Sequence, residues 1–186
     1  RLLLVTAIFV LIAEVLIFVP SVANMRLQWL RDRLNTAAAA SVVIEGLPDH
    51  ELPRPVQEEA LMATGTKAII LRRQDASRMV AAVDMPPSID AQYDLSDVST
   101  LASVYDAFET LLFGGERVIR VFGPVGETST RIELLLDERA LRRAMLGHAR
   151  NVLTLSMIIS LVTASPIFLP SAPLRKSDFS WSLISP

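Results

Sequence analysis

Apolar residues are spread along this chain in three different rhythms, and each rhythm predicts a different kind of element. The first is no rhythm at all. From Leu2 to Val19 the sequence LLLVTAIFVLIAEVLIFV has only Thr6 and Glu14 as polar positions. As a helix it would extend roughly 27 Å, close to the ~30 Å hydrocarbon layer of a bilayer. A helix that is apolar on every side belongs in lipid or in a very large core, and a chain of 186 residues has no core of that size. A second run, Asn151 to Leu169 (NVLTLSMIISLVTASPIFL), has similar length and is interrupted only by small hydroxyl residues, Asn151 and Pro166. The pattern predicts two membrane-spanning helices enclosing a folded domain.

The second rhythm follows the first span. Ala23, Leu27, Leu30, Leu34, Ala37, Ser41 and Ile44 recur with alternating spacings of four and three, a heptad stripe on a helix running out of the membrane. Two partners suit it: the chain's own domain, or the same stripe of a second copy with Leu27, Leu30 and Leu34 at the seam. Arg26, Arg31, Asp32 and Arg33 fall off the stripe. Pro20 removes a backbone donor and is expected to bend the helix where it leaves the bilayer.

The third rhythm is alternation. Lys67–Arg72 and Arg78–Val83 read as strands around a polar turn, and Arg117–Val121 and Arg131–Leu136 as a second pair around Gly123, Pro124 and Gly126. Between and around these pairs lie three helical stretches. One is opened by Pro55 and stopped by Gly65, one is capped by Asp97 and stopped at Gly114-Gly115, and one is capped by Asp137 and feeds the second span. The expected fold is therefore α+β: a short antiparallel sheet with helices on it, tethered to membrane at both ends. The corresponding divisions are a first span at 1–20, a domain at 21–150, a second span at 151–169 and a divergent tail at 170–186.

A cleaved signal peptide is the competing reading of the start, because Arg1 supplies a basic end and Ser21-Val22-Ala23 a small-x-small site. The apolar run exceeds the usual ~7–15 residues of a signal core, and the helical period continues past the cut, which favours an uncleaved anchor.

Glu14 is a carboxyl at membrane depth, which costs several kcal/mol unless neutral or paired. It reads either as an interfacial group that snorkels or as a polar contact between helices. Arg117 and Arg120, three apart in a strand, point to opposite faces, so one of them could hold an anionic ligand bidentately. Solvated edge charges are the plainer alternative. The loop DMPPSIDAQYDLSD offers Asp84, Asp90, Asp94 and Asp97, oxygen ligands of the kind a hard cation takes. Their spacing is not that of an EF-hand loop, and Pro and Asp turns account for the composition. Asp94 joins the two arginines as a candidate ligand contact.

Composition mainly excludes. A net charge of −2 and a pI near 5.7 give no electrostatic case for nucleic acid. There is no Cys, so thiolate metal sites and Cys nucleophiles are ruled out. His50 and His148 belong to no cluster that could bind metal or activate a nucleophile. Neither a phosphate-binding glycine loop nor HExxH is present. The chain is not expected to be an enzyme by itself, and no metal or cofactor is assigned to it.

Four blocks together carry a resemblance: AEVLIFVPSVANMRLQWLRDRL (13–34), DMPPSIDAQYDL (84–95), GGERVIRVFGP (114–124) and LDERALRRAMLGHARNVLTLSMIISLVTA (136–164). In this order, flanking these two spans, they resemble the N-terminal sensor half of alphaproteobacterial membrane-bound sensor histidine kinases. The resemblance implies a PAS/Cache-like sensor plan and an inner-membrane homodimer with a periplasmic domain. It also implies a cytoplasmic kinase that passes phosphate from ATP to its own His and then to a response-regulator Asp. The family continues into a HAMP-type linker and kinase core, where ATP and Mg would bind. Here the sequence turns instead into SPIFLPSAPLRKSDFSWSLISP, which reads as truncated or out-of-frame coding. Charge counting opposes the periplasmic placement, because Arg26, Arg31, Arg33, Arg142, Arg143 and Arg150 sit at the domain ends of the spans; long loops largely escape that rule. A stand-alone two-span interaction protein, or a receptor with a different output domain, are the alternatives.

Overall fold

The computed structural model describes residues 2–45, 53–73, 76–83, 88–124 and 130–168. The first helix, α1 (Leu2–Glu45), is one continuous element with Pro20 inside it, where the sequence suggested a bend. At 1.5 Å per residue it is about 66 Å long, enough to cross a bilayer and still traverse a domain. α2 (Arg54–Thr64) has Pro55 in its first turn, where the missing N–H costs nothing. It ends on Gly65 in the left-handed conformation (φ 63°), whose N–H bonds back to the last turn. The strands are β1 (Thr66–Arg73), β2 (Ala76–Ala82), β3 (Ala91–Asp94), β4 (Val118–Pro124) and β5 (Thr130–Asp137). α3 (Thr100–Phe113) lies between β3 and β4, and α4 (Glu138–Phe168) follows β5 directly.

The α+β class holds, but the sheet differs from expectation. It has five strands in the order β2-β1-β5-β4-β3 and is mixed. β3 pairs with β4 in parallel, while β1–β2, β1–β5 and β4–β5 are antiparallel. β3 is only four residues long and falls within the Asp-rich stretch read as turns, so it has no alternation long enough to detect. A parallel neighbour needs a crossover, and α3 is that crossover. Its N-cap is Ser99, whose Oγ accepts from the Ala102 N–H at 3.2 Å, rather than the anticipated Asp97. At its other end Gly114 comes so close to Thr110 that a Cβ would lie 2.1 Å from the Thr110 carbonyl oxygen. Only glycine fits there. Asp137 does cap α4, accepting from the Arg139 N–H at 3.0 Å.

All four helices pack on one face of the sheet. The main core joins Ile69, Leu71, Ile119, Val121, Ile132, Leu134 and Leu136 of the strands to Val22, Leu30 and Leu34 of α1, Leu61 of α2, Ala107 of α3, and Leu141 and Met145 of α4. The opposite face has a small cluster drawn from strands alone: Ala68, Val118 and Leu135, with Ile70 and Ala82 against it. The seam reading of Leu27, Leu30 and Leu34 is corrected here. Leu30 and Leu34 are buried in the chain's own core and Leu27 packs, partly buried, against it, so the stripe at these positions is covered by the chain's own domain rather than by a second copy.

Two helical segments, Leu4–Val42 and Glu138–Thr163, contain windows long and apolar enough to cross a membrane, with mean hydropathies of 2.5 and 1.4. Only 6% and 11% of those windows are buried inside the fold, which is the opposite of a core helix.

Candidate functional site: polar couplings between the two spanning helices

α1 and α4 run beside one another and are joined by polar side chains at three levels. The deepest is Glu14. Its Oε1 accepts hydrogen bonds from Ser156 Oγ at 2.8 Å and Ser160 Oγ at 3.1 Å. Ser156 and Ser160 are four apart, so they share one face of α4, and that face meets the only carboxyl in the first span. The structure thus turns Glu14 toward the neighbouring helix and not toward an interface. Thr154 and Thr163, by contrast, donate to carbonyls of their own helix, as hydroxyls in apolar helices commonly do. The second level is a hydrogen bond of 2.9 Å between Ser21 Oγ and His148 Nε2.

The third level is a buried network above the spans. Arg26 of α1, which falls off the heptad stripe, is 1% exposed. Its Nε donates to Thr110 Oγ1 of α3 at 3.3 Å, its Nη1 lies 3.6 Å from Asp106 Oδ2, and its guanidinium stacks 4.2 Å from the centre of the Tyr93 ring. Thr110 Oγ1 in turn donates to Glu138 Oε1 at 3.2 Å. Glu138, fully buried at the start of α4, is held by Arg117, whose Nε donates to Oε2 at 2.6 Å and Nη2 to Oε1 at 2.9 Å. Arg117 Nη1 donates to Glu109 Oε1 at 2.9 Å. An unbroken path therefore runs from α1 through one hydroxyl of α3 to α4.

Burial sets the electrostatics of this network. Glu138, then Glu109, hold the Arg117 guanidinium in its charged form and raise its pKa further. Burial pushes the Asp106 carboxyl up; Arg26 opposes this, and Glu109 adds to it. Burial likewise raises the Tyr93 phenol against the opposing pull of Arg26. A buried ion pair of this kind stabilises little relative to an apolar replacement, but removing one partner is severe, because the other charge is left unpaired.

The residues proposed for ligand contact are not brought together. Arg117 is spent on Glu138 and Glu109 and reads as a structural cation, which corrects its assignment as a ligand contact. Asp94 is exposed and accepts from the Ser96 N–H at 2.8 Å; the Ser96 hydroxyl first, then this N–H, and to a lesser degree Arg131, lower its pKa. It lines a cleft of about 330 Å³ beside Arg26, Tyr93 and Asp106. Arg120 lies on the opposite face of the sheet, as the strand period requires, in a separate cavity with Arg72, Arg131 and Glu133. Of the acidic loop, Asp84 lies outside the described residues and Asp90 accepts from the Val118 N–H. Among the described residues no group of acidic or histidine side chains is arranged to hold a metal ion.

Sequence reasoning missed Arg26, Thr110 and Glu138. The one usable signal was the Ser156/Ser160 pair, polar at helical spacing in an otherwise apolar run. No family model matches the chain, and no curated protein or solved structure matches it either.

Proposed function

We propose that this chain is the input half of a membrane receptor of the sensor histidine kinase type, with a PAS/Cache-like domain that biases a cytoplasmic kinase through two spans. The observation that supports this most is the continuity between spans and domain. α1 leaves the first span without a break and becomes the core helix of the domain. α4 leaves the sheet without a linker and becomes the second span. A movement of α3 or the sheet then reaches both spans through Arg26, Thr110 and Glu138. On this reading the domain faces the periplasm, the chain works as a homodimer in a bacterial inner membrane, and the response regulator is reached only through the kinase core. Any displacement of the spans is limited by the stimulus's differential affinity for the two arrangements.

The test is a chimera in which residues 1–165 replace the sensor half of a well-behaved membrane histidine kinase, assayed for autophosphorylation in membranes. The reading expects phosphorylation whose level shifts severalfold when Thr110→Val or Glu14→Ala is introduced. An active chimera indifferent to both would sink it. Reporter fusions at residues 90 and 180 test the side of the membrane independently. A second reading, a two-span interaction module, is favoured by the exposed apolar stripe Leu101, Tyr105 and Leu112 on α3, and an indifferent chimera would leave it standing.

A further inference from the structure

The face of the sheet away from the helices carries a charge pattern that the fold does not need. By the two-residue period of strands, Arg72 of β1, Arg131 and Glu133 of β5, Arg120 and Phe122 of β4, and Gln92 of β3 share this face, and together they line a cavity of about 320 Å³. The register puts Arg72 directly opposite Arg131, and Phe122 opposite Glu133. Glu133 is buried, at 4% exposure. Its Oε2 accepts from Arg120 through both Nε and Nη2, and its Oε1 lies 3.2 Å from Arg72 Nη2. Both of its oxygens are thereby engaged. Arg131 is exposed and has no carboxylate at ion-pair distance among the described residues. Three guanidiniums thus surround one carboxylate, and two of the three stand as a directly opposed like-charge pair, which destabilises a sheet.

From this we infer that the outer face is a binding site for a small, multiply charged oxyanion, of the phosphate or compact polycarboxylate class. An anion seated between Arg72 and Arg131 turns the like-charge pair into a clamp. Guanidinium is suited to the task, because its planar fork meets two oxygens at once. Arg120 is held in place by Glu133 through Nε and Nη2, the Gln92 amide adds a neutral donor, and Phe122 supplies an apolar wall. The volume lies at the small end of ligand cavities, which suits a compact anion and not a nucleotide. The site sits at the end of β5 remote from α4 and so away from the spans, which excludes a lipid headgroup. It rests on the sheet alone and does not depend on the receptor reading; if that reading holds, this cavity is its input.

The test uses the full chain in nanodiscs, titrated with inorganic phosphate and with citrate by calorimetry and thermal melting. Chloride and acetate at matched ionic strength serve as controls. Saturable binding of at least one of the two anions is expected, weakening as salt rises. Phosphate alone would indicate a tetrahedral oxyanion, citrate alone a polycarboxylate. Arg131→Ala should weaken binding tenfold or more while leaving the unliganded Tm little changed, because Arg131 opposes Arg72 and, among the described residues, has only a longer-range attraction to Asp94. Absence of saturable binding by the wild-type chain, or a smaller loss in Arg131→Ala with the fold intact, overturns the proposal.

Discussion

The two halves of α1 are built from similar residues and live in different solvents. From Leu4 to Ile17 the large side chains stand exposed on all sides, Phe9 at 72%. Between Val22 and Ser41 one stripe packs against the sheet and α4, with Leu30 at 0%, and the remaining faces carry charges. A large apolar side chain left in water forgoes roughly 1.5–3 kcal/mol of burial, so the first half requires apolar surroundings that the fold itself does not supply, and it is long and apolar enough to find them in a bilayer. The polar groups differ in the same way. In the first half a single carboxyl, Glu14, meets hydroxyls of α4; in the second a full cation, Arg26, is enclosed with its counter-charges nearby. A single helix thus serves two environments by changing which surroundings its side chains require.

The largest way to break this comparison lies in the second half's network. Glu138→Ala leaves Arg117 and the Thr110 hydroxyl without their buried partner, and should cost about 3–5 kcal/mol in the domain's unfolding transition. Next, Leu30→Ala should cost about 2–5 kcal/mol as a core cavity, whereas Leu16→Ala in the lipid-facing half should stay within about 0.5 kcal/mol. Equal costs for these two, measured in the same detergent melt, would erase the distinction between the halves. Smaller again, Glu14→Ala should weaken α1–α4 association by about 1–2 kcal/mol, read as reduced cross-linking between cysteines placed on the two spans, with the domain's melt unchanged.

The smallest effect sharpens the comparison through pH. Burial raises the folded-state pKa of Asp106, so the folded chain binds that proton more tightly than the unfolded chain does. Asp106 therefore detracts from stability above its raised folded value. That loss is relieved as pH falls from there toward the ordinary carboxylate value, and fully absent below it. Comparison of pH–stability curves should show that Asp106→Asn removes this relief on mild acidification. Curves of identical slope across that window would contradict the burial assigned to the group.

Much of the architecture was already visible along the chain, since the patterns that mark it are local. An unbroken apolar run, a heptad stripe and short alternations locate two spans, a long helix and four of the five strands to within a few residues, and Gly65, Gly114 and Asp137 end or begin helices through contacts with their own neighbours. What needed the tertiary structure lies between residues far apart in sequence. Glu14 finds its partner Ser160 146 positions away, Arg26 finds Thr110 84 positions away, and Arg72 comes to face Arg131 only through the pairing of β1 with β5. Whether Leu30 and Leu34 met a second copy or their own sheet was likewise undecidable from spacing, because a heptad stripe states that something must cover it and not what. Periodicity is a property of neighbours in sequence; burial, ion pairing and the facing of charges belong to neighbours in space.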